Sequence, residues 1–286
     1  MGKQITLLDG GCGTSLMQMA KEANVRYDVP VWIYNIEHPE FVERLASEYA
    51  AAGSKYILAN TFGANRFSVE HFSDYKTTDV VREGVRIAHA ALDKTDAKIV
   101  LSIGALAKLL KPYGPMSAEE CAEVFTEQIG AGVEAGVDCI LLQTFMDLEM
   151  MDIASTVALK YDVPVYCMMT FEGRRRTMMG DSVEKIVNRL VPKGIAGIGM
   201  NCSMGPVDSL EVIKEFREYT DLPIMFKPNS GKPITDANGN VTQPYTAEMF
   251  ADEVSASFPY VDYVGGCCGT DPSYIKAIAA KLAEQA

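Results

Sequence analysis

The sequence predicts a (β/α)8 barrel, and three observations predict it. Short apolar, β-rich runs recur eight times, stretches with helix-start chemistry lie between them, and 286 residues is a length that such a barrel fills. Each run is too short for a helix, and most are apolar at successive positions, as in a strand covered on both faces. A doubly wound sheet is the alternative, but no GxGxxG follows a strand to mark a dinucleotide site. No low-complexity tract or linker divides the chain, so residues 1–286 are expected to form a single barrel domain.

In order, the strand candidates are residues 5–10 (ITLLDG), 56–62 (YILANTF), 98–104 (KIVLSIG), 138–145 (DCILLQTF), 164–171 (PVYCMMTF), 197–203 (GIGMNCS), 223–229 (PIMFKPN) and 263–269 (YVGGCCG). Pro39 after His38 suits a first helical turn. Ser117 with Glu120 three residues on reads as a capping box, and Ser182 marks another helix start. Residues 124–133 run toward Gly136, which suits a helix end before a strand. The segment 236–240 (DANGN) has tight-turn chemistry without the glycine and glutamate placement of a calcium loop.

Composition narrows the function. Acidic residues number 38 against 26 basic ones, a net charge of −12, which argues against nucleic acid and against an anionic membrane surface as partners. The start MGKQITLLDGG lacks a signal-peptide core, and no run reaches the ~18 apolar residues of a membrane span. A cytoplasmic, reducing setting is expected. Seven cysteines cannot all pair, and in that setting spaced cysteines read as metal or catalytic thiols.

Barrel active sites collect at the C-terminal ends of the strands. Those ends offer Asp9, Asn60-Thr61, Ser102, Gln143-Thr144, Thr170, Asn201-Cys202, Asn229 and Cys267-Cys268. Cys139 and Cys167 fall within strands, as small core residues; Cys121 falls in a helix, and Cys12 follows the first strand. Neighbours on a regular strand point to opposite faces, so Cys267 and Cys268 need the dihedral freedom of Gly265-Gly266 and Gly269 to turn both sulfurs inward. With Cys202 they would form a three-thiolate site with one open tetrahedral position, the pattern of catalytic zinc. Three buried cysteines that merely fall near strand ends are the competing reading, and spacing does not choose between them.

GMNCSMGP (199–206) and VGGCCGTDPSYI (264–275) resemble the two zinc signatures of the homocysteine S-methyltransferase family. LLDGGCGT (7–14), NTFGANRF (60–67), SIG (102–104) and KPNSGKP (227–233) fall in the order that family has, so the resemblance covers about residues 7–275. It implies that Cys202, Cys267 and Cys268 hold Zn2+ as the catalytic centre, with the thiol of a homocysteine-like substrate as fourth ligand. It further implies Asp9 for the substrate ammonium and Gly10, Gly11 and Thr14 for its carboxylate. Asn60, Ser102, Gln143, Thr170 and Asn229 are the other expected substrate contacts, Asn229 as a stand-in at the open position. NTFGANRF and PNSGKP are most similar to the module of cobalamin-dependent methionine synthases. No folate- or cobalamin-binding half is seen here, so a separate corrinoid protein is the expected methyl donor. Betaine or S-methylmethionine as direct donor, and a non-catalytic zinc- or thiol-binding protein, are the alternatives.

The pattern also breaks. Where the family commonly ends its fourth strand in Glu-Thr, this chain has Gln143-Thr144, which removes a negative charge facing the substrate amine. Ala105-Leu106-Ala107 departs from the family after strand three, and Lys227 adds a cation at the rim of strand seven. Either homocysteine still binds, held by Asp9 and a neutral Gln143 bond, or the accepted thiol differs; altered thiol specificity is the expectation that Gln143 motivates. Trp32 and Tyr34 near Asn35 suggest a lid, and Arg174-Arg175-Arg176 suggests a solvated loop.

Overall fold

Burial on both faces of short β-branched and aliphatic runs is what makes the strands. They are β1 (Thr6–Leu7), β2 (Tyr56–Leu58), β3 (Lys98–Gly104), β4 (Cys139–Phe145), β5 (Val165–Met169), β6 (Gly197–Asn201), β7 (Ile224–Lys227), a hairpin of β8 (Ile234–Thr235) with β9 (Val241–Thr242), and β10 (Tyr263–Val264). The computed structural model describes residues 4–173, 175–231, 234–235, 241–242 and 244–284. The turn expected at 236–240 and the residue Arg174 lie outside the described residues.

Eight strands form one all-parallel sheet in the order β1-β10-β7-β6-β5-β4-β3-β2. A parallel bridge between Leu8 and Tyr56 joins its two edges, so the sheet closes into a barrel. Around it lie α1 (Cys12–Glu22), α2 (Tyr34–Glu37), α3 (Pro39–Ala51), α4 (Arg66–Phe72), α5 (Thr77–Leu92), α6 (Ala118–Glu134), α7 (Leu148–Ala158), α8 (Val183–Leu190), α9 (Pro206–Tyr219), α10 (Ala247–Ser255) and α11 (Pro272–Ala283). No helix among the described residues is long and apolar enough to cross a membrane.

The helix starts follow from their caps. Ser117 Oγ accepts from Glu120 N–H at 3.1 Å, Ser182 Oγ accepts from Lys185 N–H at 3.2 Å, and Pro39 opens α3 at the position where its missing donor matters least. Gly136, at φ +91°, takes the left-handed place just past α6.

Strand alternation divides the core into two layers. Leu8, Val100, Cys139, Leu141, Tyr166, Met168 and Met225 fill the barrel interior, while their neighbours Leu101, Ile140, Leu142 and Cys167 face the helices. Tyr56, Tyr166 and Tyr263, near the N-terminal ends of their strands, stack edge to face with centroids 5.4–6.3 Å apart and plug that end. The opposite, C-terminal end is left for chemistry. There β1 and β10 are only two residues long, where the sequence suggested six and seven; glycine-rich backbone follows each of them and carries the chain into the site.

Candidate metal centre

Cys202 sits one residue past β6, and Cys267-Cys268 sit three and four residues past β10. Their Sγ atoms all lie within 4.8 Å of one another, with Cys202 and Cys268 3.8 Å apart. Cys202 and Cys267 are half-buried and Cys268 is exposed. Strained backbone makes the convergence. Cys202 and Ser203 both lie in the left-handed region, at φ +65° and +55°, which non-glycine residues hold only when surroundings enforce it. Cys202 N–H donates to the Lys227 carbonyl at 3.0 Å, Met204 N–H donates to the Cys202 carbonyl at 2.8 Å, and the Ser203 hydroxyl donates to the Phe171 carbonyl. On the other arm, Cys267 N–H donates to the Pro228 carbonyl at 2.8 Å and Ser230 N–H to the Cys268 carbonyl at 3.1 Å. The segment after β7 therefore braces both cysteine arms.

The glycines act differently from the expectation. Gly269 has a positive φ of 81°, but Gly265 and Gly266 do not. Their service is close approach: a Cβ on Gly265 would sit 2.5 Å from the Asp9 carbonyl oxygen, and one on Gly266 would sit 2.3 Å from Thr270 Oγ1. The missing side chains let the β10 extension lie against the β1 extension.

Three sulfurs this close cannot all ionise unaided. Hydrogen bonds from the Cys267 and Cys268 thiols hold Cys202 far below the usual thiol range, at about 3, with help from the Ser203 amide and the Asn229 side chain. The Cys202 thiolate in turn raises Cys267 well above its usual value, followed by Cys268 and burial, and pushes Cys268 up to about 11. The cluster thus carries one negative charge shared by three sulfurs, and a divalent cation is what would let all three ionise. Among the described residues this is the one cluster of His, Cys, Asp or Glu with metal-ligand spacing. Asn229 adds a second sign: its Oδ1 is buried without a hydrogen-bond partner, a costly condition that a cation would relieve. The donor set fits a soft divalent metal ion.

Beside the thiols lies a cavity of about 190 Å³. Of the expected substrate contacts, Gly10, Gly11, Thr14, Asn60, Ser102 and Gln143 line it; so do Cys202, Cys267 and Cys268. Gln143 is aimed there by an irregularity in the β4–β5 register between Leu142 and Phe145. Thr144, at φ +64°, completes that kink and is clamped by Asn201, which accepts from its N–H at 2.8 Å and donates to its hydroxyl at 2.7 Å. Gln143 Nε2 donates to Ser102 Oγ at 2.7 Å. Asn60 is fixed through its amide nitrogen by Asn35 Oδ1 and the Val31 carbonyl, each at 2.8 Å.

Three expected contacts lie outside this lining. Asp9 is buried, with one carboxylate oxygen accepting from Leu58 N–H at 2.8 Å and the other taking the Lys227 ammonium. Thr170 spends its hydroxyl on the Asn201 carbonyl at 2.9 Å. Asn229 spends its side chain on Cys202. Gly11 N–H is likewise used, by Thr270, whereas α1 begins at Cys12 with no side-chain cap, leaving first-turn amides for a ligand.

Sequence reasoning missed Cys12, Gly13, Val31 and Phe62 as lining residues. Position carried a signal for two of them: Cys12-Gly13 directly follows the Gly10-Gly11 pair. Burial, then the Asp9 charge, pushes the Cys12 thiol up to about 12, so it stays protonated and donates weakly to Asn60 Oδ1 at 3.7 Å. The expected lid is overturned. Trp32 and Tyr34 are 1% and 0% exposed, with the indole donating to Ser68 and the phenol to the Arg26 carbonyl; their apolar surface is spent on the core. Arg175 reaches Glu215 at 3.7 Å from an exposed position.

Residues 6–282 match the family profile described as homocysteine S-methyltransferase. The chain is 26% identical over 268 residues to the methionine synthase of Mycobacterium tuberculosis and 27% identical over 269 residues to that of Mycobacterium leprae. Each alignment covers 88% of this chain and 22% of the synthase, so the chain spans about a fifth of those relatives. Its fold is similar to that of the homocysteine methyltransferase MmuM from Escherichia coli in its metallated form, with a TM-score of 0.80, 18% identity and coverage of 98% of this chain and 96% of that one. The oxidized form of the same protein gives a TM-score of 0.81 over 97% and 96% of the two chains, again at 18% identity.

Proposed function

From the premise that this chain belongs to the homocysteine S-methyltransferase family, we propose that it is a zinc-dependent enzyme that moves a methyl group onto the thiol of homocysteine, giving methionine, or onto a related thiol. The convergence of Cys202, Cys267 and Cys268 at the edge of a cavity carries this reading. The Escherichia coli protein of the same fold is known in a metallated form, and thiolate donors favour zinc. The methyl donor proposed is a methyl-corrinoid on a separate protein, by likeness to the methionine synthases.

Cys202, Cys267 and Cys268 would hold the ion, next to Asn229, whose side chain hydrogen-bonds Cys202. When bound, zinc supplies the Lewis acidity that keeps an incoming thiol deprotonated near neutral pH. The chain's own residues do the rest. Amides at the start of α1 receive the substrate carboxylate. Asn60, Ser102 and Gln143 orient the chain between carboxylate and sulfur, and Phe62 and Val31 exclude water from one wall. In the transfer the thiol proton leaves to solvent and a sulfur–carbon bond forms. The bond from methyl to donor breaks with its electron pair remaining on the donor.

The test is a donor and acceptor matrix with the zinc-loaded protein: methylcobalamin, betaine and S-methylmethionine, each against homocysteine and small thiols. Methyl transfer from methylcobalamin supports the reading. Transfer from betaine or S-methylmethionine alone replaces the donor, and no transfer from any donor leaves a thiol-binding protein in its place.

A further inference from the structure

We propose that the acceptor this cavity selects is a thiol that carries a carboxylate and no ammonium, a mercaptoalkanoate, and that Lys227 and Gln143 set that choice. The proposal rests on the methyltransferase reading above and names its substrate class.

An amino-acid thiol brings three groups into the cavity: sulfur, carboxylate and ammonium. The first two have partners there. The ammonium has no carboxylate partner, because no Asp or Glu is among the described residues that line the cavity. Asp9, which precedes the lining Gly10, is engaged at both oxygens, by Lys227 and by Leu58 N–H, and the Asp9 and Lys227 side chains are only 3% and 2% exposed. Gln143 is neutral. Its nitrogen is committed to Ser102, and its oxygen offers one uncharged acceptor. Seating an ammonium there means either leaving it desolvated beside a lysine or drawing Asp9 away from Lys227, which strands a buried cation.

Removing the amine removes that conflict. Lys227 lines the cavity, and Asp9 is its one side-chain partner among the described residues, so the wall there carries a cation that favours a substrate carboxylate over an ammonium. That carboxylate would lie between Lys227 and the uncapped first turn of α1, two features that both favour an anion. Methylation then follows the balance already given: the S–H proton is lost, sulfur–carbon forms, and methyl–donor breaks with the pair on the donor. The product is a methylthioalkanoate.

Calorimetric titration of the zinc-loaded protein separates the possibilities. Its ligands are 4-mercaptobutanoate (homocysteine without its amine), homocysteine, and 3-mercaptopropylamine (homocysteine without its carboxylate). We expect 4-mercaptobutanoate to bind about tenfold tighter than homocysteine, and the amine to bind weakest, with kcat/KM for methylation in the same order. Gln143→Glu restores a carboxylate without touching the Asp9–Lys227 pair and should invert the preference. Homocysteine binding as tightly as 4-mercaptobutanoate, or tighter, with methyl transfer intact, overturns the specificity alone. Failure of every thiol to bind or be methylated overturns the methyltransferase reading with it.

Discussion

Lys227, the last residue of β7, ion-pairs with Asp9, two residues past β1, across 218 positions of sequence. The pair is possible because β10 alone separates β7 from β1 in the sheet. Removing one member leaves a buried charge without its partner. Lys227→Met should therefore destabilise the fold by about 3–5 kcal/mol. Asp9→Asn combined with it should recover part of that loss, with a coupling of roughly 1–3 kcal/mol in urea unfolding. Strict additivity of the two substitutions would show that the pair contributes nothing.

Asn201 holds the left-handed Thr144 at two atoms and approaches Cys267 Sγ at 3.7 Å. Asn201→Ala removes both hydrogen bonds to a strained residue, and about 1–3 kcal/mol of stability should go with them. Because Thr144 adjoins Gln143, the KM for the thiol should rise as well. Unchanged unfolding and unchanged KM would mean that the kink in β4 holds itself.

Gly265 admits no side chain, since a Cβ there would meet the Asp9 carbonyl oxygen at 2.5 Å and Leu8 Cβ at 2.8 Å. Gly265→Ala should push the β10 extension off β1 and move both neighbouring cysteines. Zinc content should fall along with thermal stability. A variant with native metal content and melting temperature would contradict the packing described.

The cysteine cluster predicts a proton count. Near pH 7 Cys202 is ionised while Cys267 and Cys268 are protonated. Binding a dication through three thiolates therefore expels two protons, one from each protonated cysteine. Metal affinity should rise with pH, by about two log units per pH unit around neutrality, and weaken on acidification. Calorimetry in buffers of different ionisation enthalpy counts the released protons directly. A count of zero would mean that all three thiols are already ionised without metal.

The barrel was legible in the sequence because it depends on local features, apolar runs of strand length and the residues that end them; the three cysteines were legible as strand-end residues, and only the resemblance of their flanking motifs joined them into one site. What escaped depends on contacts across the barrel. Asp9 reads as a free carboxylate at a strand end, and Lys227 as a stray cation, until the β7-β10-β1 neighbourhood pairs them. Gly265 and Gly266 look like dihedral hinges, yet they are spacers between two chain extensions. Trp32 and Tyr34 resemble a lid in one dimension, because nothing local reveals that Ser68 and the Arg26 carbonyl accept from their polar atoms and let the rings be buried.

Cys202, Cys267 and Cys268 are proposed to form one zinc site. Zinc content per chain, measured side by side for the native protein and Cys267→Ala after identical loading, tests it most directly. About one zinc per native chain and close to none in the variant is the expected result. Full retention of zinc by Cys267→Ala would contradict it.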